Sequence, residues 1–295
     1  MATFVAALGF GVASGVVIAL GALGFTLQFG LSNVLNIAYG AFVTMAAFFG
    51  YMLVSWGINA WLAMALVGIV MGVLTVLYYL TLIRGLIRRR ASLGSLAIAT
   101  VAAGIFFEYL IVALAGPAVR SYGIEGGHTL HIWYIALPAT QAIIIVVAAL
   151  LMLGLHLLLT MTTLGRAMRA TAVNRTLARS CGIRTERVTT TAWFISGVLA
   201  GVAGVALAMT TAAFDFTLGS TFLIVMISAA VVGGVGQPYG AMVGGLLIGL
   251  ATQIGAAFWN PVYSDVIAFV LLVLMLLVRP AGLLGLQARR QDVAW

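Results

Sequence analysis

Apolar stretches of about twenty residues recur along this chain, each long enough to cross a hydrocarbon core of roughly 30 Å as an α-helix. Only 7% of the 295 residues are charged and 64% are hydrophobic, a balance that soluble domains do not sustain. A transmembrane β-barrel needs alternating polarity, because successive side chains face lipid and lumen. Residues 266–278, VIAFVLLVLMLLV, show no alternation. The expected fold is therefore an all-α, polytopic transmembrane helical bundle forming one domain over residues 1–295.

The spans fall at about 4–27, 37–54, 61–83, 93–115, 135–159, 189–211, 220–232, 240–258 and 264–278, about nine with a range of eight to ten. No arginine or lysine precedes the first, and no small-residue cleavage site followed by a polar sequence occurs, so it is expected to remain as a span. The seventh is short for a crossing and leads into GGVGQPYG at 233–240. That pattern suits a broken or re-entrant helix pair, since irregular backbone at membrane depth must be buried in protein or line a cavity. The glycines allow a tight turn, whereas nucleotide binding there lacks a strand, a lysine and a ribose-binding acid.

All fourteen basic residues are arginine. Without lysine the chain has no P-loop of its own. With nine spans, thirteen of the arginines lie on one side: four at 84 and 88–90, six within 160–188, and three at 279, 289 and 290. Arg120 falls opposite. The positive-inside tendency makes the arginine-rich side cytoplasmic, with the N-terminus outside and the C-terminus inside. The net charge of +8 thus reads as orientation, and nucleic acid is not an expected partner. Cys181 is the sole cysteine and excludes an intrachain disulfide.

Residues 160–188 are the one long polar interruption. Helix-forming residues fill 164–181, and Gly182 supplies a stop. At 100° per residue, Arg166 and Arg169 lie near one side and Arg175 and Arg179 near another, as suits a helix wedged between two surfaces. A loop whose arginines simply hold orientation accounts for the charge equally well.

Polar residues inside a membrane are costly and mark function by default, here Asn33, Asn36, Glu108, Ser228 and Gln253. Glu108 is the one carboxylate well within a span, and pairing with an arginine or capping a helix is its favoured role. Asp215 and Asp265 fall near outer ends. Glycine pairs at 197/201, 240/244 and 245/249 read as helix-packing sites. His128, His131 and His156 form no metal-binding spacing, and no nucleophile motif occurs, so neither a metal nor a catalytic centre is expected.

Three stretches together resemble the permease subunits of bacterial ABC importers for branched-chain amino acids. Gly165-Arg166-Ala167-x-Arg169-Ala170-x-Ala172-x-Asn174, followed by Ala178-x-x-x-Gly182-Ile183, is similar to the family's ATPase-receiving cytoplasmic loop. Val232-Gly233-Gly234-Val235-Gly236 with Tyr239-Gly240-Ala241-Met242-Val243-Gly244-Gly245 resembles its glycine motif. Leu23-Gly24-Phe25-Thr26 with Asn36-Ile37-Ala38-Tyr39-Gly40 resembles its early membrane motif, and the chain's last span ends Arg279-Pro280-Ala281-Gly282-Leu283-Leu284-Gly285 as the family's does. The likeness is nearer to the shorter permease of the pair. In the early motif the family's usual histidine and acid are replaced by Tyr39 and Ala41, which leaves cargo and gating open.

The resemblance implies a multi-pass protein of the bacterial inner membrane that works with a second related permease, two cytoplasmic ATPases and a periplasmic or surface solute-binding protein, surrounded by membrane lipid. ATP and Mg would be used by the ATPases, and this chain would bind no cofactor. It assigns ATPase coupling to 160–188, with Gly165, Arg166, Arg169, Asn174, Arg175 and Gly182 as the residues involved, and a cytoplasmic tail to 280–295. Asn33, Asn36, Tyr39, Ser228 and Gln253 are the expected pathway residues. Branched-chain or other amino acids, urea and amides are all within the family's range. The competing reading is an ATPase-independent channel or secondary carrier for a small neutral solute.

Overall fold

The computed structural model describes residues 2–123, 129–132, 135–258 and 263–284. Its helices are α1 (Ala2–Ser32), α2 (Tyr39–Ser55), α3 (Ala60–Tyr78), a π-helical turn (Tyr79–Ile83), α4 (Arg84–Arg88), α5 (Leu93–Ala115), α6 (Ala139–Met161), α7 (Thr163–Val173), α8 (Arg175–Ser180), α9 (Thr185–Thr210), α10 (Leu218–Gly233), α11 (Pro238–Phe258) and α12 (Ser264–Val278). Six of these segments are long and apolar enough to cross a membrane, and α2, α10 and α12 are shorter apolar helices of 17, 16 and 15 residues. Together they occupy the nine positions expected from the sequence.

Local chemistry sets several ends. The Asn59 side chain accepts a hydrogen bond from Trp61 N (2.9 Å), and Ser92 accepts from Ser95 N (3.1 Å), so α3 and α5 are both N-capped. Gly116, with φ +79°, closes α5. Residues 135–138 depart from the expected span. They form strand β2 (Ile135–Pro138), antiparallel to β1 (Thr129–Ile132), and α6 begins only at Ala139. Pro138 disfavours helix in the residue before it, which holds Leu137 extended. Gly126, Gly127 and His128 lie outside the described residues, as does the tail beyond 284.

Most of α1 and α9 is buried, whereas α5 and α6 present most of their surface outward. Close approach depends on glycine. A Cβ on Gly197 would stand 2.6 Å from the Met71 carbonyl oxygen, and one on Gly201 2.8 Å from Gly68 Cα, so α9 lies directly on α3. Likewise a Cβ on Gly245 would come within 2.3 Å of Ala19 Cα, and one on Gly249 within 2.2 Å of Gly15 Cα, which seats α11 on α1. Without a hydrophobic difference between lipid and protein, such backbone contact is what holds spans together. Trp193 of α9 is fully buried and stacks on Tyr79, ring centroids 4.9 Å apart.

The 233–240 stretch is a tight helical hairpin. A Cβ on Gly233 would lie 1.9 Å from the Gly240 oxygen, and Gly234 and Gly236 take φ of +113° and +85°. The segment after α12 folds back onto this turn, with Leu283 N donating to Val232 O (2.9 Å) and Leu284 N to Gly233 O (3.2 Å). Those bonds occupy carbonyls that the end of α10 leaves open. Gly282, at φ +78°, has no room for a side chain against Gly234.

Candidate functional site

The 160–188 segment is two helices joined at a corner, and this corrects the single helix expected over 164–181. Asn174 is extended (φ −153°, ψ 104°), and its side chain accepts from Leu177 N (2.9 Å), capping α8. Helix propensity on either side is uniform, but an asparagine cap competes for the backbone and wins. α8 ends as expected at Gly182, φ +82°: Gly182 N donates to Arg179 O (2.9 Å) and Ile183 N to Ala178 O (3.0 Å), a Schellman pair.

Gly165, in the first turn of α7, is the inner corner against α6. Thr162 accepts from Gly165 N (3.0 Å) and caps α7, while a Cβ at 165 would fall 2.3 Å from both the Leu158 and Leu159 oxygens. Glycine alone lets α7 turn back this sharply on α6. The buried face of α7 is Gly165, Met168 and Thr171, one every three residues, and it packs against α6, α9 and α1.

The arginines divide. Arg166 is exposed, and Arg175 is half-buried with its Nε enclosed and unpartnered among the described residues. Arg169 donates to the Leu159 carbonyl at the end of α6, and Arg179 Nε donates to Thr185 Oγ1 (2.9 Å). Of the expected contact residues, then, Arg169 and Asn174 spend polar groups inside the corner. Sequence reasoning missed the apolar part of this surface: Met161 and Val173 are each 76% exposed and Leu177 62%. In a helix-rich stretch of mixed polarity nothing local distinguishes them from core residues. Exposed apolar side chains beside charge are the kind of surface that protein contacts use.

Glu186, in the first turn of α9, ties this corner to the other arginine cluster. It pairs with Arg84, and Arg88 Nη2 lies 3.4 Å from Oε1. Residues 84–90 and 160–188 therefore share one end of the bundle.

A second feature lies at the opposite ends of α6 and α9. A cavity of about 390 Å³ is lined by Ser14, Gln141, Thr210, Gln253 and Asp265, with apolar walls from α1, α9 and α10. Gln253 Nε2 donates to Ser14 Oγ (3.0 Å) there. A neighbouring cavity of about 370 Å³ shares Thr211 and Asp265 and adds Asp215.

Of the expected pathway residues only Gln253 lines this space. Asn33 is exposed at φ +52° just past α1. Asn36 is fully buried, its amide donating to Gln28 Oε1 (2.8 Å) while Oδ1 accepts from Tyr78 (3.4 Å). Tyr39 is fully buried beside Gly24, and Ser228 bonds its own helix at Ile224 O (2.8 Å). Asn36, Tyr39 and Ser228 are packed inside the bundle in this conformation, and Asn33 lies at its surface. Glu108 finds neither arginine nor helix end among the described residues.

Residues 7–276 match the family described as branched-chain amino acid transport system, permease component. The chain is 31% identical over 289 residues to the high-affinity branched-chain amino acid transport system permease protein LivH of Escherichia coli K12, covering 93% of each. It is 31% identical over 283 residues to a probable LivH of Methanocaldococcus jannaschii, covering 91% of this chain and 89% of that one. With the permease protein LivM of Escherichia coli K12 it shares 27% identity, over 89% of this chain but 66% of LivM. Among solved structures, PsaBC from Streptococcus pneumoniae in complex with Fab superposes with a TM-score of 0.51 at 12% identity, over 92% of this chain and 91% of that one, a likeness of fold.

Proposed function

The chain belongs to the branched-chain amino acid transport permease family, and from that premise we propose that it is the membrane-spanning subunit of an ATP-driven importer for branched-chain amino acids or related small solutes. Its partners are a second related permease, two cytoplasmic ATPases and a periplasmic or surface solute-binding protein. The membrane is the bacterial inner membrane, with the N-terminus outside and the arginine-rich end in the cytoplasm.

The observation that carries this reading is the α7–α8 corner, where exposed Val173 and Leu177 stand beside exposed Arg166 and half-buried Arg175 in a chain without lysine and hence without a P-loop. An ATPase seated there moves α7 when it closes on ATP. α7 is packed on α6 and α9, and the far ends of those two helices carry Gln141 and Thr210 of the outer cavity. Displacement at one end thus reaches the other through two rigid helices, provided the ATPase contacts differ between its two states.

Reconstitution tests it. ATP-dependent uptake by liposomes containing the full complex supports the importer; uptake by this chain alone, without ATPase, would sink it.

A further inference from the structure

Among the described residues, the groove between α10, α11 and α12, formed by Val232, Leu247, Leu271 and Met275, is apolar and offers a solute no anchor. The cavity near the outer ends of α6, α9 and α11 is different. One wall is aliphatic and aromatic, from Ile18, Leu207, Phe222 and Val225. Polar groups face it from three other helices: Gln141 of α6, Gln253 of α11 and Asp265 of α12. Its volume of about 390 Å³ falls within the ~300–1,000 Å³ typical of small-molecule sites.

Two of those groups lack a partner. Gln141 Oε1 is enclosed without a hydrogen bond among the described residues. Asp265, an exposed residue in the first turn of α12, has no hydrogen bond there either, whereas the other nearby acid, Asp215, is occupied by Thr217 N (3.0 Å) and Thr217 Oγ1 (2.7 Å). Among the described residues no arginine lines either cavity. The site is therefore rich in acceptors and poor in cations.

We infer that this cavity is a transit site inside the permease for a zwitterionic amino acid with an aliphatic side chain, its ammonium group held by Asp265 and Gln141. The inference rests on the importer reading and adds the residues that meet the solute. An ammonium group carries three donors and no acceptor, which matches a carboxylate together with an unpaired amide oxygen. The aliphatic side chain lies against Phe222 and Val225. The solute's carboxylate meets neutral donors alone among the described lining residues, the glutamine amides and hydroxyls such as that of Thr210, so it is held loosely. A conducting site needs this balance, since binding must favour entry without preventing exit.

The test uses the complete importer in liposomes with its binding protein saturated by leucine. Asp265→Asn and Gln141→Leu are each expected to lower leucine delivered per ATP hydrolysed by tenfold or more, with the ATPases still co-purifying. Gln141→Glu, which keeps an acceptor, recovers most of the delivery lost in Gln141→Leu. Wild-type delivery per ATP in both Asp265→Asn and Gln141→Leu would overturn the transit site alone. Absence of ATP-driven leucine uptake by the wild-type complex would overturn the importer reading and this site with it.

Discussion

Arg84 and Glu186, 102 positions apart in the chain, form an ion pair between the segment that ends the third span and the first turn of α9. A carboxylate in a helix's first turn also complements the positive end of the helix dipole. The pair joins the two internal arginine-rich segments into one surface. Both side chains are partly exposed, at 31% and 44%, so its contribution belongs to the modest range of surface pairs.

Glu186→Gln is accordingly expected to cost ~0.2–1 kcal/mol of stability. Thermal melts in detergent at low and high salt check this. The gap from wild type should narrow as salt rises, because exposed charges are screened.

Asn174→Ala removes the cap of α8, a loss worth ~0.5–2 kcal/mol for such positions. α8 has only six residues, so the effect is local fraying. Amide exchange over 175–180 should quicken while α7 and α9 keep their protection, and Asn174→Asp should restore the slow exchange.

Gly245→Ala sets a methyl 2.3 Å from Ala19 Cα and pushes α1 and α11 apart. Overpacking of this kind costs ~1–3 kcal/mol, which a melting curve reads directly. Gly85→Ala, where no atom lies within 4 Å, should be neutral or slightly stabilising.

Leu177→Glu and Arg175→Glu, both on α8, are expected to reduce ATPase co-purification severalfold while membrane insertion persists. Arg169→Glu should disturb the corner as well, because Arg169 holds the Leu159 carbonyl. Comparable ATPase recovery with all three substitutions would remove the docking role from α8.

The spans were legible because their signal is local: a run either is or is not long and apolar enough to cross. α5 and α12 begin and end where expected, at Leu93–Ala115 and Ser264–Val278, with Ser92 capping the first and Pro280 following the second. The features that were not legible depend on distant partners. Nothing near Glu186 announces Arg84, and nothing near Gly282 announces Gly234. The outer cavity gathers Ser14, Gln141, Gln253 and Asp265 from four helices, and of these only Gln253 stood out in the sequence as a pathway residue. Asn36 and Tyr39 looked equally polar where the second span begins, yet their neighbours bury them completely.

Cys181, the sole cysteine, is exposed at the end of α8 and reports on the central claim without any substitution. Its labelling by a membrane-impermeant maleimide should proceed in inside-out vesicles, fail in intact cells, and be blocked when the ATPase subunits are bound. Labelling from outside, or equal labelling with and without the ATPase, would contradict the account.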